Sequence, residues 1–273
     1  MKFLAVLITI FLYRNWIGDH PLQGRVPFDR WQRWFFGSSL GVNIRYILCV
    51  GIPVLGVGWL AMSLDHGLTS ILWLLLSLAV ILYAADIYDS AAVFSDHRTW
   101  LRSLEESSNV NEAVQRHEDF MMLCAYEYFQ SLFPVLFWYL ILGPMGPLLY
   151  ILSRFYLDLL DEDDPESTLV DSVIYWMEWF PVRVTGLILA LLGSFAGTFE
   201  RWLELSADFG SSNTVALTTM MASAIDANEY EGDEDLEEFI TSAVMDTDAL
   251  EAMLGRIVFG WLGLAAIIAI VGW

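Results

Sequence analysis

Residues 44–64 carry a single charged side chain, Arg45, in an otherwise apolar run. A run of that length makes a helix about 30 Å long, the thickness of a bilayer's hydrocarbon core. Similar runs recur at residues 68–85, 132–153 and 257–273, and charge is confined to the stretches between them. The pattern predicts an all-α, polytopic integral membrane bundle with one membrane domain over residues 1–273. Two further runs, 3–13 and 181–199, are expected to cross fully or to enter only part way.

Composition supports this class and removes others. The chain is 56% hydrophobic with a mean hydropathy of +0.52. Its net charge is −21, from thirty-four acids against thirteen bases. That balance excludes nucleic acid as a partner and leaves the lipid bilayer as the first one. Cys49 and Cys124 both lie in apolar surroundings, which suits core residues better than a disulfide or metal pair. His20, His66, His97 and His117 show no metal-binding spacing, and neither a P-loop nor a G-x-S-x-G motif is present.

Basic residues give the orientation. Arg14, Arg25, Arg30, Arg33 and Arg45 precede the hairpin 44–85, whose turn Asp65-His66-Gly67 has none. The positive-inside rule puts residues 14–43 in the cytoplasm. Residues 85–131 follow on the same side as cytoplasmic helices, with 86–94 continuing the second span and 111–130 amphipathic. Residues 200–256 return to the cytoplasm once both following runs have crossed. Gly143-Pro144-Met145-Gly146-Pro147 should kink or unwind the span 132–153. Residues 169–179 and a separate helix starting at Pro181 come next. The acidic stretch 226–238 reads as a solvated loop; its glycine falls one place late for a calcium loop.

Several residues stand out chemically. Arg183, at the mouth of an apolar run, is a permanent cation that either snorkels or binds an anion. Ser211 and Asn213, beside Gly210, suit a phosphate-facing turn. Glu127 lies ahead of the third span, and Arg154 stands four residues from Asp158, the spacing of a helical ion pair. Asp86 and Asp89 are three apart, the spacing for holding Mg²⁺ with waters.

Trp179-Phe180-Pro181-Val182-Arg183-Val184-Thr185-Gly186 resembles the W-[LV]-P-[AV]-R-L-[TA] signature of the CobD/CbiB superfamily, and particularly of its AmpE branch. Gly18-Asp19-His20-Pro21, Phe133-Pro134-Val135-Leu136-Phe137-Trp138, Asp208-Phe209 and Ser211-Ser212-Asn213 resemble further elements of that family in the same order. The resemblance implies an inner-membrane regulatory or sensory protein linked to β-lactamase induction and cell-wall recycling. It also implies an anionic-ligand pocket on the cytoplasmic side, built from Arg183, Ser211, Asn213, Asp208, Glu127 and Arg154. A cell-wall-derived, nucleotide or corrinoid molecule would be its ligand. The alternative that the superfamily carries is an adenosylcobinamide-phosphate synthase using ATP and Mg²⁺; a structural partner of other envelope proteins is the third reading. The synthase run before Pro134 is not matched here, where Phe129 and Gln130 occupy its Asp and Gly positions.

Overall fold

The computed structural model describes residues 2–15, 26–36, 41–64, 69–86, 88–105, 109–161, 164–230, 232 and 235–271. The Gly18–Pro21 element and the Asp65-His66-Gly67 turn lie outside them. Among the described residues every regular element is helical. Four helices are long and apolar enough to cross a membrane, at 43–64, 110–142, 167–192 and 236–271. The chain divides into two compact units, one from residues 1–87, 131–181 and 264–273, the other from 88–130 and 182–263.

The first unit contains α1 (Lys2–Asn15), α2 (Val26–Phe36), α3 (Val42–Leu64), α4 (Ser70–Ala84) and α7 (Met145–Leu157). Parts of α6 (Val110–Leu142), α8 (Ser167–Leu192) and α11 (Leu236–Val271) complete it. Here α3 packs on α7 and α4, α4 packs on α1 and α7, and α2 lies on α3. The expected break falls at Gly143, whose φ of +63° ends α6. Pro144 then caps α7. Glycine is required twice over in this corner, since a Cβ on Gly146 would collide with the Trp138 backbone. A buried polar cluster also sits here. Glu166, 1% exposed, takes Arg45 as an ion pair and accepts a hydrogen bond from the Tyr156 hydroxyl. Tyr46 and Ser153 share a hydrogen bond of 2.8 Å beside it.

Helix boundaries differ from the sequence reading in several places. The run 181–199 is interrupted after Leu192, with a new helix from Phe195, and the last span belongs to a helix that already starts at Leu236. Residues 111–130 and the start of the third span form one helix, α6, which runs through Pro134. The segment 169–179 and the Pro181 helix likewise merge into α8. A proline removes one backbone donor and bends a helix, but one missing donor does not by itself end it. Conversely, residues 86–94 do not continue the second span. Ala85 adopts an extended conformation, and Asp89 caps a new helix, α5 (Ser90–Arg102), by accepting from the Ala92 N–H at 3.2 Å. Asp and an extended preceding residue are a strong start signal.

The second unit holds α5, α9 (Phe195–Ala207) and α10 (Asn213–Ala224) with the remaining parts of α6, α8 and α11. Leu101, Ala113, Val114, Phe239 and Ala243 form a core joining α5, α6 and α11. Arg98 reinforces it by donating to Asp248 at 2.8 Å and Glu251 at 2.7 Å. At Gly193, where α8 has ended, a Cβ would strike the Ala224 carbonyl; that carbonyl instead accepts from the Ser194 N–H at 3.1 Å. Segments 88–130 and 182–263, far apart in sequence, therefore pack as one body.

Candidate functional site

Both polar centres of the second unit are arranged around α10. At its amino-terminal end, Arg183 projects from α8 and is 6% exposed. Its guanidinium donates to Asn213 Oδ1 at 3.1 Å, to the Leu205 carbonyl at 3.1 Å and to the Asp208 carbonyl at 3.3 Å. The Trp202 indole donates to the Arg183 carbonyl at 2.7 Å. Asp208 organises the turn between: its carboxylate accepts from Ser211 Oγ and from the Gly210 N–H. Those two bonds, with the Ser211 one foremost, hold the Asp208 carboxyl below the ordinary carboxylate range. Ser212 then caps α10 by accepting from the Val215 N–H at 3.2 Å. Arg183, Asp208, Ser211 and Asn213 thus come together as the sequence suggests. The Arg183 side chain is bonded to protein acceptors, and it clasps the α9–α10 turn to α8.

The remaining sequence candidates lie elsewhere. Glu127 is on α6 and is exposed. Arg154 belongs to the first unit, with its guanidinium 5.9 Å from the Tyr150 ring centroid. The Tyr150 hydroxyl donates to buried Glu178 at 2.8 Å. Asp86 and Asp89 are both exposed, Asp89 being occupied as the α5 cap. Among the described residues no group of three His, Cys, Asp or Glu side chains is placed to hold a metal.

Towards the other end of α10 the second unit contains a cavity of about 510 Å³, within the size range of small-molecule sites. Asp246 of α11 reaches it and is 5% exposed. Its carboxylate accepts from the Asn228 N–H at 3.1 Å, from Asn228 Nδ2 at 2.9 Å and from the Tyr230 hydroxyl at 2.7 Å. The stretch from Asp226 is irregular and exposed at Asp226, Asn228 and Glu229, as a solvated loop is, and its Asn228 and Tyr230 tether it to a buried acid. A buried carboxylate must find donors, and these are the nearest in sequence after α10. His117, 1% exposed, also lines the cavity and stands edge-on to Tyr230 at 5.7 Å. One ring nitrogen, Nδ1, lies 3.0 Å from His97 Nε2.

Sequence reasoning missed Asp246 and His117, although a signal was there. Phe239, Ala243, Asp246, Leu250 and Met253 are all buried and follow helical spacing. Asp246 is the acid on that stripe. His117 sits likewise on the buried stripe of Ala113 and Cys124.

The family described as "Regulatory signalling modulator protein AmpE" matches residues 4–237. A relative from Shigella flexneri, "Protein AmpE", is 25% identical over 244 residues, covering 80% of this chain and 83% of its own. No solved structure matches.

Proposed function

Because the chain belongs to the AmpE family of regulatory signalling modulators, we propose that it is a multi-pass inner-membrane regulator of β-lactamase induction and cell-wall recycling. The second unit is its sensory part and lies on the cytoplasmic side. The observation that supports this reading most is the open-sided cavity of about 510 Å³ lined by segments 115–125, 218–230 and 246–250. These come from the two segments that the positive-inside rule assigns to one side of the membrane. Arg183 serves the site by positioning α10, whose later turns line the cavity.

The test is genetic. A bacterium with an inducible chromosomal β-lactamase and its own AmpE gene deleted would receive this chain. β-Lactamase activity is then followed after addition of a β-lactam. The reading predicts an induced level shifted several-fold from the empty-vector strain. The same level in both, with the protein present in the inner membrane, would overturn it. The corrinoid-ligase alternative has no specific observation in its favour.

A further inference from the structure

We propose that the cavity beside α10 binds an organic ammonium carried on an apolar body, and that Asp246 is its counter-ion. The inference concerns ligand chemistry and stands apart from what signal the protein sends.

Charge carries the first part of the argument. The cavity wall includes Glu118, Asp119 and Asp246 and no Lys or Arg among the described residues. Glu118 and Asp119 are exposed at its rim, whereas Asp246 is 95% removed from solvent. A carboxylate so deeply placed is costly unless paired. Its protein partners are the neutral Asn228 and Tyr230, which fix its direction without cancelling its charge. An ammonium group in the cavity would supply the missing opposite charge. An anion would meet three carboxylates and no compensating cation.

The walls carry the second part. Met121, Met122 and Met221 line the cavity together with Leu250 and the Tyr230 ring. Thioethers are flexible and polarisable, so they fit varied apolar shapes. Tyr230 adds aromatic surface to the wall, and its hydroxyl holds the Asp246 carboxylate in place. His117 provides the fixed polar edge. Its Nδ1 is engaged with His97, and its ring is pinned at right angles between Tyr230 and Phe239.

The ammonium could belong to a soluble amine or to a phosphatidylethanolamine headgroup, which share this chemistry. The experiment uses the full-length protein in nanodiscs and three probes with one apolar body: 4-phenylbutylamine, 4-phenylbutan-1-ol and 4-phenylbutyrate. Isothermal titration calorimetry should show the amine binding at least about tenfold more tightly than the alcohol, with the carboxylate undetectable. Asp246→Asn should remove the amine's advantage and leave the alcohol unchanged. Ala222→Trp, which fills the cavity from an exposed wall position, should abolish binding of both, and this variant decides the matter if Asp246→Asn does not fold. Weaker amine binding in discs that mix phosphatidylglycerol with phosphatidylethanolamine than in discs of the same charge that mix it with a neutral glycolipid supports a lipid headgroup as the natural source. Equal binding supports a soluble amine. The proposal is overturned by equal affinity for amine and alcohol in the parent, by preference for phenylbutyrate, by an amine advantage that persists in folded Asp246→Asn, or by amine binding that survives in folded Ala222→Trp.

Discussion

Arg183 and His97 illustrate how single residues hold the second unit together. Arg183 gives three hydrogen bonds to acceptors on α9, on α10 and in the turn between them. Lysine keeps the charge but not the planar fork that reaches several acceptors at once. Arg183→Lys should therefore lower stability by about 1–3 kcal/mol, the range for a charged hydrogen bond lost in the interior. Thermal unfolding in detergent measures it, and an unchanged midpoint would remove the clasp. His97 makes a pH prediction. Burial, aided by His117 and Arg116, pushes its pKa down from 6.5 to about 3, and its ring stacks on Phe120 at 3.6 Å. Between those values the unfolded chain binds a proton that the folded one refuses. Stability contributed by neutral His97 is thus complete above about pH 6.5 and is lost progressively as pH falls towards 3. His97→Gln should flatten that part of the pH–stability curve relative to the parent; identical slopes would contradict it.

The buried pair in the first unit differs from a surface pair in the same chain. Arg45 and Glu166 are 19% and 1% exposed, whereas Arg201 and Glu204 are each 57% exposed. Removing Arg45 strands a buried carboxylate, which costs about 3–5 kcal/mol. Removing Arg201 costs about 0–1 kcal/mol. Arg45→Ala should accordingly depress the unfolding midpoint far more than Arg201→Ala, and equal effects would show that Glu166 finds another partner.

At the scale of elements, the helices were legible because apolar runs and cap residues are local signals. The break after α6 could be read from Gly143 and the two prolines that follow it. Where the reading failed, the change from an amphipathic to an apolar stretch after residue 130 and the single Pro181 were given too much weight: α6 runs on through residues 130–132 and α8 through Pro181. One missing donor is a smaller loss than the apolar contacts on either side. The close packing of α8 on its neighbours rests on small residues instead. A Cβ at Gly186 would meet Met220 of α10 and Trp202 of α9. Gly186→Val should push these helices apart and destabilise the unit by about 1–3 kcal/mol, as overpacking does. A variant as stable as the parent would show that α8 and α10 are free to separate. The Asp246 cavity was not legible in the same way. Its walls come from α6, α10 and α11, so tertiary packing creates it. What sequence does contain is the trace of that packing, a lone acid and a lone histidine on otherwise buried apolar stripes.

At the scale of the whole molecule, the account depends on which side of the membrane each segment occupies. Segments 88–130 and 182–263 share one core, through Leu101, Ala113 and Phe239, so they must share one side wherever they leave the bilayer. The family match and the acidic, ligand-sized cavity acquire their proposed regulatory meaning only if that side is the cytoplasm. Single cysteines answer this directly. With Cys49 and Cys124 replaced by Ser, Asp96→Cys on α5 and Glu238→Cys on α11 place one thiol at an exposed position of each segment. Labelling of intact spheroplasts with a membrane-impermeant maleimide should leave both unreacted, and permeabilisation should make both react. Labelling of either thiol from outside, before permeabilisation, would contradict a cytoplasmic sensory unit.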